Sequence, residues 1–173
     1  MILSDTAILN EISLGNIHLE PFTAGLLQPA SIDVRFNEFA RDSNAVTPHP
    51  SGNGWWLRPQ RMVLGSLIER IKLPTTLVGV LDGKSTWARR GLLIHFTAGY
   101  IDPGFDGEIT LEMLNVSTKV LHITTGTAIG QLRFHRVEGS VARPYGSEGL
   151  GSHYQGQVGP TPAFGDTDRW WMR

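Results

Sequence analysis

The 173 residues contain no cysteine. Disulfides, iron–sulfur clusters, thiol nucleophiles and every zinc site with a thiolate ligand are excluded together. The exclusion reaches base deamination, because zinc-dependent deaminases hold their metal with His and Cys. Also missing is any apolar run near the roughly 20 residues that span a bilayer, so no membrane partner is expected. A surplus of positive charge is lacking too: 15 Lys and Arg against 16 Asp and Glu leave a net charge of -1. Binding along a phosphate backbone needs cations in excess, so no nucleic-acid partner is expected. A single small anionic ligand stays open. The opening Met1-Ile2-Leu3-Ser4-Asp5 has no basic stretch followed by an apolar one, and a cytoplasmic location is expected.

What is plentiful is turn chemistry. The chain holds 20 glycines and 10 prolines, set between short apolar runs, which is the pattern of many short strands joined by turns. Ser31-Ile32-Asp33-Val34-Arg35-Phe36 alternates apolar with polar, as does Ile109-Thr110-Leu111-Glu112-Met113. Each reads as a strand with one buried face. Helical patterning is confined to the N-terminus, where Ser4 is a candidate cap, Ile8, Ile12 and Leu14 form a partial stripe, and Gly15 ends it. The expectation is a mainly β barrel or sandwich with one N-terminal helix, in a length that suits one domain. Residues 40–54 read as a surface loop. Residues from about Gly146 to Asp168 read as a mobile tail, yet they carry Tyr154, Gln155, Gln157 and Phe164. A tail that orders over a ligand and a plain disordered terminus both fit.

Three segments carry candidate chemistry. Gly83-Lys84-Ser85 imitates the end of a P-loop, but Val78 stands where its first glycine is needed, so that nucleotide-binding loop is rejected. Ser85 is placed to cap a short helix that Gly91 closes, with Arg89 four residues on. A lysine before a helix start and an arginine within it make either an anion site or a solvated basic turn. In Thr97-Ala98-Gly99-Tyr100-Ile101-Asp102-Pro103-Gly104, Gly99 would let a ligand approach the backbone and Tyr100 offers a flat ring for a sugar or base. Asp102, at a Pro-Gly turn, either accepts a hydroxyl proton or caps the turn. On the second strand Thr110, Glu112 and Leu114 share the face opposite Ile109, Leu111 and Met113. A carboxylate beside Leu114 is partly desolvated, which favours its protonated form and suits proton shuttling; a solvent-exposed strand glutamate is the alternative. The six histidines have no metal-ligand spacing and read as surface or core residues.

Taken in order along the chain, these segments resemble the dCTP deaminase branch of the dUTPase superfamily. The resemblance rests on Leu3-Ser4-Asp5, Gln28-Pro29-Ala30-Ser31-Ile32-Asp33-Val34-Arg35, Val63-Leu64-Gly65-Ser66 and the Gly83-to-Gly91 segment. It continues through Asp102-Pro103-Gly104-Phe105, Ile129-Gly130-Gln131-Leu132, Arg143-Pro144-Tyr145-Gly146 and Gly151-Ser152-His153-Tyr154-Gln155-Gly156-Gln157. It implies a dUTPase-like distorted β-barrel of the β-clip type, with residues 1–145 as the catalytic domain and residues 146–173 as a flexible tail closing over the site. It also implies a homotrimer with active sites at subunit interfaces. By the same resemblance Glu112 is the general base and acid acting at C4 of cytosine, and Ser85 and Arg89 position the water and the glutamate. Asp102 binds the 3′-hydroxyl, and Tyr100 packs on the sugar and excludes a 2′-hydroxyl. Lys84, Thr97, Ala98, Thr110, Gln131, Tyr145, His153 and Gln157 are assigned to substrate binding. The cofactor implied is Mg²⁺ carried by the triphosphate, with no zinc and no metal-ligating residue.

Gly99-Tyr100 stands where deaminases that stop at dUTP carry a His-Arg pair, and Gly159–Pro162 resembles the tail of the bifunctional enzymes. The expected reaction is therefore conversion of dCTP to dUMP, ammonia and pyrophosphate, supplying dUMP for thymidylate synthesis, with dUTP as a further substrate and dTTP as a candidate inhibitor. A deaminase releasing dUTP, a dUTPase alone and a non-catalytic nucleotide-binding regulator are the alternatives. Three departures from the family pattern stand out. His153 replaces a lysine near the phosphates, Trp87 and Arg90 replace small or aliphatic residues, and the 40–54 loop is short.

Overall fold

Alternating apolar residues build nearly all of the architecture. The computed structural model describes residues 1–40, 45–49 and 52–165. The helix α1 (Asp5–Ser13) comes first, followed by β1 (His18–Glu20), β2 (Leu27–Gln28) and the long β3 (Ser31–Phe39). Next are β4 (Val46–Pro48), β5 (Gly54–Leu57), β6 (Met62–Lys72) and β7 (Leu77–Gly83), then the single turn α2 (Ser85–Ala88). The series ends with β8 (Leu92–Leu93), β9 (Tyr100–Ile101), β10 (Asp106–Asn115), β11 (Leu121–Thr124) and β12 (Ala128–Arg136). The expected mainly β barrel with one N-terminal helix is what forms.

The main sheet runs β8-β10-β6-β3-β12-β7-β9, with β1 on β6 and β2 on β3. Its curl depends on β3 changing partners. Ile32 and Val34 lie opposite Leu132 and Gly130 of β12, whereas Phe36 and Phe39 lie opposite Leu67 and Gly65 of β6. The two ladders meet at Arg35 and Phe36, with irregularities on either side, between Ala128 and Gly130 of β12 and between Phe36 and Phe39 of β3. Such irregularities bend a strand and raise its twist. At the switch the backbone N–H of Arg35 is taken by the carboxylate of Glu69 at 2.8 Å, and the Arg35 Nε donates to the same carboxylate at 2.7 Å. Ile32, Val34, Phe36, Leu67, Leu111, Met113, Leu132 and Phe134 fill the interior with no exposed surface. The smaller sheet, β11-β5-β4, joins this core through Phe39, whose ring meets Trp55 edge-on at 5.9 Å.

Local expectations hold and fail for identifiable reasons. Ser4 caps α1, its hydroxyl accepting the Ala7 N–H at 3.4 Å, and Ile8 is fully buried. Leu14 does not join the stripe; it follows the last helical residue and is 65% exposed. Glu11 takes the buried place, its carboxylate bound to Arg136 at 2.6 Å and Asn16 at 2.7 Å. The 40–54 loop contains a strand, because Val46 and Leu57 pair and bury their side chains; residues 41–44 and 50–51 lie outside the described set. The segment expected to be mobile is hydrogen-bonded along β10 from Gln155 to Thr161, and residues 166–173 lie outside the described set.

Two outcomes follow for stability. Glu69→Ala leaves Arg35 without its buried partner and the β3 switch without its acceptor, and urea unfolding should show a loss of about 3 kcal/mol. Glu11 is held below the ordinary 4.5, chiefly by its hydrogen bond to Arg136 and then by that to Asn16. Its stabilising contribution is therefore complete above the unfolded value and lost as pH falls through the lowered folded one. Glu11→Gln should cost about 1 kcal/mol at neutral pH and flatten the acid limb of the stability curve.

Candidate active site

The alternation of β10 buries Ile109, Leu111 and Met113 and leaves Asp106, Glu108, Thr110, Glu112 and Leu114 half-buried on the opposite face. Glu112 lies across from Leu64 of β6, so its carboxyl stands among apolar neighbours. Burial pushes its pKa above 4.5, opposed by backbone N–H groups, its own and that of Phe96, and by the His95 imidazole. Its Oε2 is buried without a hydrogen-bond partner. The His95 Nε2 is 3.0 Å from the Leu81 carbonyl, which only accepts, so Nε2 carries the proton. His95 Nδ1 is buried and unpartnered as well. A carboxyl whose pKa is raised by burial, beside an imidazole, is suited to accepting and returning a proton. His95 is the residue that reading along the chain missed: it carries no spacing signal, and only the return of the chain after β8 brings it to Glu112.

The same return explains Gly99. No ligand is needed to account for it, since a Cβ there would lie 2.6 Å from the Leu81 carbonyl oxygen and 3.0 Å from the His95 ring. Thr97 and Ala98 are exposed just before it, and Tyr100 is 61% exposed. Cross-strand register aligns Tyr100 with Val80 and Arg133, and Asp33 with Gln131 and Asp82, on the outer face of β3, β12, β7 and β9. Lys84 reaches this face and forms an ion pair with the buried Asp33, whose other oxygen has no partner.

α2 departs from its expected form. Lys84, not Ser85, occupies the N-cap, and no side chain caps the helix. A single turn has little dipole to offer an anion. α2 is held instead by Trp87, buried and donating its ring N–H to the Ala128 carbonyl at 3.2 Å, with the Arg90 guanidinium 5.0 Å above that ring. Ser85 and Arg89 are exposed, and among the described residues neither is bonded to Glu112.

Asp102 opens a third neighbourhood. Gly104 follows at φ +90°, where a Cβ would fall 2.5 Å from that of Pro144, so the turn can press against the chain entering the tail. A cleft of about 280 Å³ results, lined by Asp102, Arg143, Tyr145, Leu150, Gly151 and Ser152. The Asp102 carboxylate is exposed and caps nothing; the turn closes through its carbonyl, which accepts the Phe105 N–H at 3.2 Å. Tyr145 packs on Phe105 at 5.8 Å and accepts the Tyr154 N–H at 3.1 Å. Thr110 and Gln157, both assigned to substrate, are bonded within the chain. Gln157 Nε2 donates to the Glu108 carbonyl at 2.7 Å and the Thr110 hydroxyl to the Gly159 carbonyl at 3.2 Å. His153 stacks on Phe164 with ring centroids 3.9 Å apart.

Asp102 and Tyr145 thus share one cleft, Lys84, Gln131 and Tyr100 share one sheet face, and Thr110 and Glu112 share another, while Ser85 and Arg89 stand apart from Glu112. Among the described residues no three His, Asp or Glu side chains are grouped to hold a metal ion.

The family model described as dCTP deaminase-like matches residues 2–137. A Bifidobacterium longum protein named dCTP deaminase, dUMP-forming, is 44% identical over 180 residues, covering 94% of this chain and 93% of its own. A Corynebacterium glutamicum protein of the same name is 42% identical over 94% of this chain and 95% of its own. Among solved structures, the 2′-deoxycytidine 5′-triphosphate deaminase of Agrobacterium tumefaciens aligns with a TM-score of 0.62 at 21% identity, over 82% of this chain and 49% of that one. A dUTPase of Staphylococcus bacteriophage 80alpha aligns with a TM-score of 0.50 at 15% identity, over 73% of this chain and 94% of that one. These two share the fold, and the curated relatives align over nearly the whole chain at 42% and 44% identity. A mainly β chain whose sequence matches the family model from Ile2 to Val137 leaves one assignment, and the protein belongs to the dCTP deaminase-like family.

Proposed function

We infer that the protein converts dCTP to dUMP, ammonia and pyrophosphate. The observation that carries this reading is the Glu112 carboxyl, half-buried, its pKa raised by that burial, and left with an unpartnered oxygen beside His95. Water adds to C4 of the cytosine as Glu112 takes its proton; the glutamate then returns a proton to the amino group, the C4–N bond breaks and ammonia leaves. A second water attacks the α-phosphorus, the bond to the bridging oxygen breaks, and pyrophosphate departs from dUMP. Asp102, unbonded at the mouth of its cleft, holds the 3′-hydroxyl and orients this second water. Tyr100 packs on the deoxyribose, with Thr97 and Ala98 lining the base from the loop that positions His95.

The charge on the triphosphate is met by Lys84 and by Mg²⁺ that arrives with the nucleotide. Gln131 shares the outer face with Lys84, and Tyr145, His153 and Gln157 approach from the tail. Ser85 and Arg89 position water and carboxylate across a subunit boundary, in a homotrimer. Two features support assembly. Both side chains are exposed and unbonded to Glu112 within the chain, and Met62, Leu114 and Leu93 form an apolar row across β6, β10 and β8. dUTP fits the same contacts once the base is deaminated, and dTTP, sharing sugar and triphosphate, competes for them.

Incubation with dCTP and Mg²⁺, with ammonia and pyrophosphate assayed separately, should yield both in equal amounts together with dUMP. Accumulating dUTP would sink the second step, and absence of ammonia the first. Glu112→Gln should abolish ammonia release while raising thermal stability at neutral pH by about 2–4 °C, because it removes a desolvated charge. Because Glu112 must be ionised to act as base, kcat/KM should rise with pH through a value above 4.5. Light scattering should report three copies; a stable monomer that still turns over dCTP would refute the shared site.

A further inference from the structure

The edge of β10 facing away from β6 is taken by β8 only at Leu114 and Asn115. Between Asp106 and Thr110 the tail bonds to the strand instead. Gly156 donates its N–H to the Asp106 carbonyl at 2.8 Å, and Glu108 donates its N–H to the Gln157 carbonyl at 3.0 Å. Backbone groups repeat every two residues along a strand, so these two bonds alone would hold the tail equally well after a slip of two residues. Register must come from side chains. Gln155 Oε1 accepts the Asp106 N–H at 3.1 Å, Gln157 Nε2 donates to the Glu108 carbonyl at 2.7 Å, and the Thr110 hydroxyl accepts the Thr161 N–H at 3.1 Å. The shortest of these contacts with a charged partner is the Glu108 carboxylate, which accepts the Gly159 N–H at 2.7 Å. A charged acceptor makes this bond roughly twice as strong as a neutral one.

We propose that Glu108 is a positioning residue that sets the register of the C-terminal tail on β10 and thereby what stands beside Glu112. Glu108, Thr110 and Glu112 follow one another on the same face of the strand. With Glu108 on Gly159, the tail runs on to Thr110, and among the described residues its last bond to β10 falls one side chain short of the Glu112 carboxyl. A slip of two residues would carry Gly159 and Thr161 about 7 Å along the strand, either over Glu112 or clear of it. The tail is rich in Gly and Pro and loses much chain entropy on docking, so the loss of one charged contact is felt along its whole length. This role rests on Glu112 being the carboxylate of the proposed deamination.

Two variants and two measurements test it. Hydrogen exchange on the whole protein follows the amides of Gly156, Gly159 and Thr161, and steady-state ammonia release from dCTP gives KM and kcat. Glu108→Ala should speed exchange at these amides about tenfold and raise KM about tenfold, by more than kcat falls. Glu108→Gln keeps an acceptor oxygen at the same reach and should stay within about threefold of the parent in both. Parental exchange and KM in Glu108→Ala would overturn the proposal. So would faster exchange with an unchanged KM, which would leave Glu108 a structural contact only. Should the parent release no ammonia, the deamination reading fails by itself, and unchanged exchange in Glu108→Ala would separately remove the register role.

Discussion

The fold turns on the carboxylate of Glu69. β3 has to serve two halves of one sheet, pairing with β12 through Arg35 and with β6 from Phe36. A strand that changes partners leaves a backbone donor unpaired at the crossing, and a buried N–H without a partner costs about as much as a lost hydrogen bond. Glu69, 1% exposed, accepts the Arg35 N–H in place of a strand and takes the Arg35 side chain as counter-charge. A buried carboxylate would be costly alone; here its charge is matched and its oxygens are bonded. The curl that follows sets β10 against β6 on one side and β7 against β9 on the other, and both surfaces used by the site descend from it.

The site is then a matter of which faces the curl leaves outward. One face of β10 presents Glu112 with the tail alongside, and the outer face of β12 and β7 presents Gln131 and Lys84. The turn at Asp102 presents a cleft whose far wall is the start of the tail. A carboxyl whose pKa burial raises lies on the first of these, across from Leu64 and beside Leu114 on its own strand. Lys84 lies at the second, where Asp33 holds its ammonium in a defined place. Asp33 is buried with one oxygen unbonded, so the pair is only partly satisfied. The carboxyl of Glu112 and the Lys84–Asp33 pair thus lie on separate surfaces.

Much of this was legible along the chain. The alternation at Ser31–Phe36 and Ile109–Met113 is a direct print of strands with one buried face, and both form with the inward residues expected. Ser4 caps its helix because capping needs only neighbours three residues away. The partial desolvation of Glu112 follows from its place beside Leu114 on a half-buried face. The failures share a cause. Leu14 lies out in solvent and Glu11 inward because Arg136, from the far end of the chain, supplies the counter-charge. Val46 forms a strand inside an apparent loop because Leu57 offers a partner. Ser85 yields the cap position to Lys84, whose backbone is extended at the helix start while its side chain pairs with Asp33.

The sequence alone determined the class of the fold, the face on which the candidate carboxylate lies and, through the absence of cysteine, the exclusion of thiolate-ligated zinc. These depend on residue type and on periods of two to four residues, which the covalent chain imposes. Only the tertiary structure decided that His95 stands against Glu112, that Gly99 is needed by the Leu81 carbonyl and the His95 ring, and that the tail lies along β10 with Glu108 on Gly159. Each of those contacts joins segments whose separation in sequence leaves no periodic trace. Their distances exist only once β3 has crossed from β12 to β6 and the core has closed around it.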